Sequence, residues 1–320
     1  MIQPALVEIV RNGFVEGHHY GSAVALAADG SLAYAVGDVA GQVLPRSCNK
    51  PLQAVGMLRA GLELDGELLA LGCASHSGEP FHVEGVRRIL AGAGLAENDL
   101  QTPPDYPLDD DARETVIRDG GHREPVLMNC SGKHAAMLAT CAANGWDTAT
   151  YRDPAHPLQQ QIAATFADLT GEAVEVVAVD GCGAPLLSTS LSGLARAFAR
   201  LATATEGPER RVAEAIRQHP EYVSGTTRDE LALLRALPGA IGKAGAESCY
   251  VVALPDGRAF ALKHDDGGAR ARPVTMAALL AQVGLVEEAV QRTGEVPVLG
   301  AGRPVGELRA VLPASSASAG

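Results

Sequence analysis

A serine and a lysine three positions apart, Ser47 and Lys50, form the first segment of this chain whose residue types could do chemistry. A serine hydroxyl becomes a strong nucleophile only when a base removes its proton. A lysine serves as that base where burial or a neighbouring cation lowers its pKa, and Arg46 is such a neighbour. The segment stands at the predicted start of a helix, so both side chains share one face of its first turn. The spacing alone is weak evidence, because Ser-x-x-Lys is common by chance.

A second serine and a second lysine stand further along the chain. Ser75 lies in a short polar segment, residues 73–78, that favours a turn, and Lys263 ends a predicted hairpin strand. Penicillin-binding proteins and serine β-lactamases have this chain order: Ser-x-x-Lys at a helix start, a serine on a loop and a lysine on a late strand. The order predicts Ser47 as nucleophile and Lys50 as base, with Ser75 relaying the proton. The alternative, in which Ser75 is the nucleophile and Lys263 its base, stays open.

Cysteines mark another candidate site. Cys130 and Lys133 stand in the segment Asn129–His134, and Asp180 and Cys182 follow about fifty residues later. Two thiolates together with a carboxylate or an imidazole are ligands that zinc accepts. The spacing matches no known zinc finger, and buried structural cysteines beside glycine turns are the alternative interpretation.

The elements that must position these residues can be predicted from apolar periodicity and turn signals. Strands are predicted over residues 5–10, 22–27, 32–36, 174–179, 250–254 and 258–263. Helices are predicted from Lys50 to Gly61, on both sides of the 73–78 turn, and over residues 133–143, 157–169, 191–203, 208–218, 228–236 and 275–283, with another opened by Asp109 to Asp111. Strands towards both ends predict an α+β fold, an antiparallel sheet flanked by helices, in one domain over residues 1–320 with a frayed tail from Ala314.

Composition excludes several classes of partner. The net charge of −12, with both signs interspersed, is wrong for nucleic acid or an anionic membrane. The N-terminus has no export signal and no apolar run reaches the length of a membrane span, so we expect a cytoplasmic protein. Six sparse cysteines in that compartment predict reduced thiols.

In combination, these segments resemble the bacterial-type L-asparaginase II family, and the resemblance runs nearly end to end. The matching segments are Arg46–Pro51, Cys73–Ser77, Asn129–His134, Asp180–Gly183, His219–Glu221, Gly242–Glu247, and Leu262-Lys263 before Asp266-Gly267. The resemblance implies a fold similar to serine β-lactamases and penicillin-binding proteins, a homodimer, and hydrolysis of the small molecule L-asparagine to L-aspartate and ammonia.

The resemblance also implies roles for individual residues. It pairs Ser47 with Lys50 and Ser75 with Lys263 in catalysis. It assigns a zinc ion to Cys130, Lys133, Asp180 and Cys182. A lysine binds a metal only when deprotonated, so His134 is a local rival of Lys133 as ligand. The candidates for substrate binding are Arg46, His76 and Arg228, the two arginines on charge type alone.

Three residues depart from the family pattern. Cys48 and Asn49 stand where small residues are common, and Ser248 stands where we expect a glycine after Glu247. Two other functions remain as alternatives: a β-lactamase or penicillin-binding-like serine hydrolase, and a non-catalytic, zinc-stabilised binding module.

Overall fold

The computed structural model describes residues 3–313, and the tail predicted from Ala314 lies outside them. The chain divides into two compact units, each built from separate stretches of sequence. One unit contains the stretches up to Cys48, from Thr189 to Thr203 and from Ala232 onward. The other contains the stretches from Asn49 to Ser188 and from Ala204 to Leu231. The single catalytic domain stays a prediction.

Strands and helices alternate irregularly along the chain. The strands are β1 (Ala5–Arg11), β2 (Phe14–Leu26), β3 (Leu32–Val36), β4 (Gln42–Val43), β5 (Val177–Val179), β6 (Pro185–Leu187), β7 (Thr189–Ser190), β8 (Ile241–Ala244), β9 (Cys249–Ala253), β10 (Ala259–His264), β11 (Pro297–Gly300) and β12 (Arg303–Ala310). The helices are α1 (Lys50–Arg59), α2 (Gly66–Gly72), α3 (Pro80–Gly92), α4 (Asp110–Arg118), α5 (Ser131–Asn144), α6 (Pro157–Thr170), α7 (Leu191–Thr203), α8 (Gly207–Gln218), α9 (Pro220–Val223), α10 (Asp229–Ala236), α11 (Ala271–Gln282) and α12 (Glu288–Arg292).

The first unit is organised around an antiparallel sheet with the order β11-β12-β1-β2-β10-β9-β8, in which β3 also pairs with β2. β2 is long enough to pair with three strands, since its first half pairs with β1 and its second half with β10 and β3. The predicted early strands (β1 to β3) and late strands (β9 and β10) share this sheet as predicted, and β1 also pairs with β12, which was not predicted. Two short strands, β4 and β7, pair separately.

The centre of this sheet is covered by helices. α7 and α11 both pack on β10, and α7 also packs on β9. Every residue of β9 and β10 is buried except Lys263, as expected for strands covered on both faces. Between them the chain reverses at Pro255–Gly257, where the Leu254 N–H donates to the Arg258 carbonyl at 2.8 Å. The α+β class, with an antiparallel sheet flanked by helices, is confirmed.

The second unit is mainly helical, and α1 is buried at every position from Lys50 to Leu58. Pro51 falls in its first turn, where a missing N–H breaks no hydrogen bond. α1 packs most closely on α6: a Cβ added at Gly56 would lie 3.1 Å from the Ile162 Cα, so glycine permits this approach. In residues 3–313, none of the helices combines the length and apolar character needed to cross a membrane.

Candidate active site

Lys50 lies at the centre of a buried polar cluster in the helical unit. Its side chain is 0% exposed. The Nζ donates to the Ala74 carbonyl at 2.5 Å, to the Ser75 hydroxyl at 3.0 Å and to the Cys130 sulfur at 3.1 Å. The amine is thus held by three neighbouring groups. The structure therefore joins a predicted catalytic lysine to a predicted catalytic serine and to a predicted zinc ligand.

Ser75 lies in the irregular segment that links α2 to α3, as the polar residues 73–78 predict. The end of α9 and the loop that follows it hold this segment. The Ser75 N–H donates to the Val223 carbonyl at 3.1 Å, and the Ser77 hydroxyl donates to the Ser224 carbonyl at 2.8 Å. A Cβ added at Gly225 would lie 2.2 Å from the Ser77 Oγ, so only glycine permits this contact. Backbone bonds and close packing thus fix the position of Ser75.

The ring of His76 is fully buried, and both its nitrogens are bonded within the protein. Its Nδ1 accepts from the Gly78 N–H at 3.1 Å. Its Nε2 lies 2.8 Å from the Ser131 Oγ, whose own proton goes to the Val126 carbonyl, so Nε2 is the donor. Burial, followed by the charges of His82 and Lys50, lowers the pKa of His76 well below its ordinary value. A neutral ring with both nitrogens engaged braces the turn and leaves no ring nitrogen for a substrate.

The loop after α9 also carries Arg228. Its neighbours are anchored by two carboxylates: Glu79 accepts from the N–H and the hydroxyl of Thr226, and Asp109 accepts from the Thr227 hydroxyl at 3.1 Å. Arg228 itself is half-buried, and its guanidinium has no hydrogen-bond partner among residues 3–313. The sequence predicted Arg228 but not the two carboxylates that anchor its loop. The Ser-Gly-Thr-Thr run before Arg228 is a turn signal that could have predicted this loop.

The predicted zinc ligands converge in the same unit. The Lys133 Nζ lies 3.1 Å from the Cys182 Sγ, and the Asp180 carboxylate lies 3.8 Å from that sulfur. Hydrogen bonding from the Cys130 thiol and the nearby charge of Lys133 lower the pKa of Cys182, whereas donation to Cys182 and burial raise the pKa of Cys130. Burial lowers the pKa of Lys133, but the charges of Cys182, Cys130 and Asp180 outweigh it and raise this pKa. These shifts favour the thiolate form of Cys182 beside a positively charged Lys133.

His134, the rival ligand, faces the same cluster. Its Nδ1 lies 2.6 Å from the Tyr151 hydroxyl, and its Nε2 is buried without a hydrogen bond among the described residues. Burial is the main reason why its pKa falls to about 4, so the ring is neutral. Cys182 is close enough to contribute to that pKa.

These donors fit a metal ion on one condition. Within residues 3–313, no three His, Cys, Asp or Glu side chains are grouped closely enough to hold one. The two thiols therefore need the Lys133 amine as a further ligand, and that amine must lose its proton to bind. The donor chemistry, two sulfurs and a nitrogen on buried residues, suits zinc.

Ser47 lies in the sheet unit, in a 3-10 turn (Arg46–Asn49) that leads directly into α1. Ser47 is 8% exposed. Arg46 adopts a left-handed backbone, φ 51°, and its guanidinium lies 3.4 Å from the Glu247 carboxylate. The Cys48 thiol donates to the Lys243 carbonyl at 3.1 Å.

Lys263 belongs to the same unit as Ser47. Its Nζ donates to the carbonyls of Glu247 and His264, each at 3.1 Å. Its side chain lines a small cavity of about 120 Å³ together with Gln3, Ser22, Asp38, Gly41, Gln42, Val43, Leu191 and Asp265. The pairing of Lys263 with Ser75 stays a prediction.

Comparison with known proteins agrees with the resemblance. The sequence profile described as L-asparaginase II matches residues 7–310. No curated protein matches the chain. Among solved structures, a β-lactamase from Mycobacterium bovis is 14% identical with a TM-score of 0.44, covering 82% of this chain and 94% of its own. The native form of Mglu is 14% identical with a TM-score of 0.45, covering 84% of this chain and 65% of its own.

A probable glutaminase from Bacillus subtilis, in complex with 6-diazo-5-oxo-L-norleucine, is 12% identical with a TM-score of 0.36. The match covers 83% of this chain and 84% of the glutaminase. Structural similarities this distant carry no argument about the site. The family profile spans nearly the whole of the described chain, and this protein belongs to the L-asparaginase II family of amidohydrolases.

Proposed function

We propose that this enzyme hydrolyses the side-chain amide of L-asparagine to L-aspartate and ammonia with a serine nucleophile and a lysine base. The observation that carries the proposal is the hydrogen bond of 3.0 Å between the Lys50 amine and the Ser75 hydroxyl. A wholly buried lysine bonded to a serine is the arrangement that serine-lysine hydrolases need for proton transfer. Family membership supplies the substrate class.

In the proposed reaction, the Ser47 Oγ attacks the amide carbon, and its proton passes to the neutral amine of Lys50. Ser75 then relays the proton to the amide nitrogen, the C–N bond breaks and ammonia leaves. Water attacks the resulting ester, which releases aspartate and returns the proton to the serine. The bond between Lys50 and Ser75 is also compatible with Ser75 as the nucleophile, so both serines must be tested.

Two arginines are the proposed partners of the substrate α-carboxylate. Arg228 has a guanidinium without a hydrogen-bond partner among the described residues, as a residue that binds substrate requires. Arg46 stands beside Ser47 in sequence, and its ion pair with Glu247, at 3.4 Å, is long. We assign His76 to positioning of the Ser75 turn, because both its ring nitrogens are engaged.

We also propose a zinc ion bound by Cys130, Cys182 and the deprotonated amine of Lys133; Asp180 completes the predicted set only when its carboxylate, 3.8 Å from the Cys182 sulfur, moves closer. Support comes from the convergence of two thiols and an amine on three buried residues. A bound zinc supplies fixed positive charge that orders these side chains or orients the substrate. Cys130 also contacts Lys50, so order in the zinc site determines how firmly Lys50 is held.

Ammonia release from asparagine, glutamine and a β-lactam tests the proposed function. We expect turnover of asparagine and none of nitrocefin. Ser47→Ala should lower turnover by about a thousandfold or more, and no acyl-enzyme should be trapped in this variant. Ser31→Ala, which removes a serine hydroxyl from a distant hairpin turn, is the matched control. Near-normal turnover in Ser47→Ala would give the nucleophile role to Ser75, and no ammonia from any amide would overturn the proposed activity.

Elemental analysis of protein purified without added metal tests the zinc proposal. We expect about one zinc ion per chain, lost in Cys182→Ser. Cys141→Ser is the control, because Cys141 is a buried thiol whose pKa burial raises to about 11. Zinc retained in Cys182→Ser would remove that residue from the ligand set. The homodimer implied by the family resemblance is tested separately by sedimentation equilibrium.

A further inference from the structure

Several residues with a strained, left-handed backbone lie near the segment that carries Ser47. Five non-glycine residues within residues 3–313 have positive φ. Two of them, Asn12 and Ala301, precede glycines in ordinary hairpin turns. The other three are Arg46 at 51°, Glu247 at 56° and Ser248 at 53°. A left-handed backbone is unfavourable for any residue with a Cβ, so it persists only where surrounding contacts enforce it.

These three residues belong to two segments that touch each other. The turn between β8 and β9 packs against the segment Pro45–Cys48: a Cβ added at Gly245 would lie 2.8 Å from the Pro45 carbonyl and 3.1 Å from the Cys48 sulfur. The ion pair between Arg46 and Glu247 joins the same two segments. The conformation of the turn therefore affects where Ser47 is held.

A buried hydrogen-bonded chain fixes the turn. The Ser248 hydroxyl lies 2.9 Å from His264 Nδ1, and His264 Nε2 lies 3.0 Å from the Thr275 hydroxyl on α11. The His264 N–H also donates to the Ser248 carbonyl at 3.3 Å. Ser248, His264 and Thr275 are at most 1% exposed. Glycine would adopt this backbone without strain, whereas serine is strained in it. The hydrogen bond from the Ser248 hydroxyl to His264 offsets that strain.

The same hydrogen bonds also affect the acceptors that hold the Lys263 amine. The Lys263 amine donates to the carbonyls of Glu247, which precedes Ser248 in the turn, and of His264. A change in the Glu247–Ser248 turn would move one acceptor, and a change at His264 would move both. Burial lowers the pKa of His264 to about 4, so the ring is neutral and donates through one nitrogen while accepting through the other.

We propose that His264 is a positioning residue of this enzyme: clamped between Ser248 and Thr275, it holds the left-handed turn that places the Lys263 amine and supports the segment of Ser47. This role rests on the proposed function of Lys263 and Ser47. It predicts that residues with no access to substrate control the rate of the chemical step.

Four variants test this clamp. Ser248→Ala removes the hydroxyl and keeps the strain, Ser248→Gly removes both, His264→Phe removes both side-chain bonds and keeps a ring, and Thr275→Val removes one bond and keeps the shape. Thr140→Val is the matched control, because within residues 3–313 the buried Thr140 hydroxyl bonds only the Ala136 carbonyl of its own helix. If His264→Phe fails to fold, Thr275→Val and the two Ser248 variants still decide the outcome.

We expect kcat for asparagine to fall about tenfold or more in Ser248→Ala and Thr275→Val while KM changes less than about threefold. Ser248→Gly should recover both melting temperature and part of kcat relative to Ser248→Ala, because glycine keeps the left-handed turn without the hydrogen bond. The rate at which an amine-specific reagent labels Lys263, followed by mass spectrometry, should rise in the same variants and not in Thr140→Val. Unchanged kcat and labelling together with a lowered melting temperature would make His264 a core residue only. Because labelling needs no turnover, it tests the clamp even if the wild-type enzyme released no ammonia.

Discussion

At the scale of single residues, the buried lysine is the most informative feature of the site. Lys50 was predicted from its spacing to Ser47, yet its observed partners are Ala74, Ser75 and Cys130. Local spacing predicts that two side chains share a helix face. It cannot predict contacts made across twenty-five or eighty residues, which depend on how helices pack. The sequence therefore singled out residues that the fold brings together around Lys50, but it did not predict the contacts between them.

Lys50 can be tested for a specific role in proton transfer. We expect Lys50→Met to lose about a thousandfold or more in kcat, because no base remains for the serine. Its free energy of unfolding should change by less than about 2 kcal/mol, since a buried amine and its acceptors are replaced by an apolar chain of similar length. Ammonia release and urea unfolding measure the two effects.

Lys50→Arg separates charge from proton transfer at the same position. A guanidinium keeps the positive charge but does not deprotonate in proteins, so this variant should be as inactive as Lys50→Met. Substantial activity in Lys50→Arg would mean that Lys50 acts only as a fixed charge.

At the scale of elements, the predicted helices and strands formed close to where periodicity placed them, and two differences in their bounds have local causes. The elements without a prediction are β4, β6, β7, β8, β11, β12, α9 and α12. α11 begins at Ala271 and not at Thr275, because Pro273 fits the first turn of a helix, where its missing N–H costs nothing. β5 covers only Val177–Val179 of the predicted 174–179, since pairing with the three-residue β6 limits its length. The turn that ends β8 showed no sequence signal for left-handed residues, because glutamate and serine rarely adopt that conformation.

The loop after α9 gives a prediction at this scale. Gly225→Ala should lower kcat/KM by at least about tenfold, because the new Cβ would collide with Ser77 and displace the turn that holds Ser75. Gly94→Ala is the matched control: Gly94 also has positive φ but meets nothing within 4 Å.

The control should lose about 1 to 2 kcal/mol of stability from backbone strain and keep its kcat/KM. Steady-state kinetics with asparagine and thermal unfolding of both variants provide the comparison. Equal kcat/KM in the two variants would show that the contact between Gly225 and Ser77 does not position the site.

At the scale of the whole molecule, both units bury histidines beside their reactive residues. Burial is the main cause of the lowered pKa values of His76, His82, His134 and His264, three of them to about 4. These rings fold as neutral groups, whereas in the unfolded chain they take up protons near their ordinary pKa of about 6.5. Since the unfolded state binds more protons between these pKa values, the free energy of unfolding must fall as the pH drops from about 6.5 towards 4.

The dependence of the free energy of unfolding on pH can be assigned to individual histidine rings. Near pH 5 to 6, each depressed histidine contributes up to about 1.4 kcal/mol per pH unit. His82 is a suitable ring to remove: its Nε2 lies 3.0 Å from the Glu221 carbonyl, whereas its Nδ1 is buried without a partner among the described residues. Urea unfolding from pH 7 to 5 should show a shallower slope in His82→Gln, by about one proton. An unchanged slope would mean that His82 does not fold as the neutral ring its burial requires.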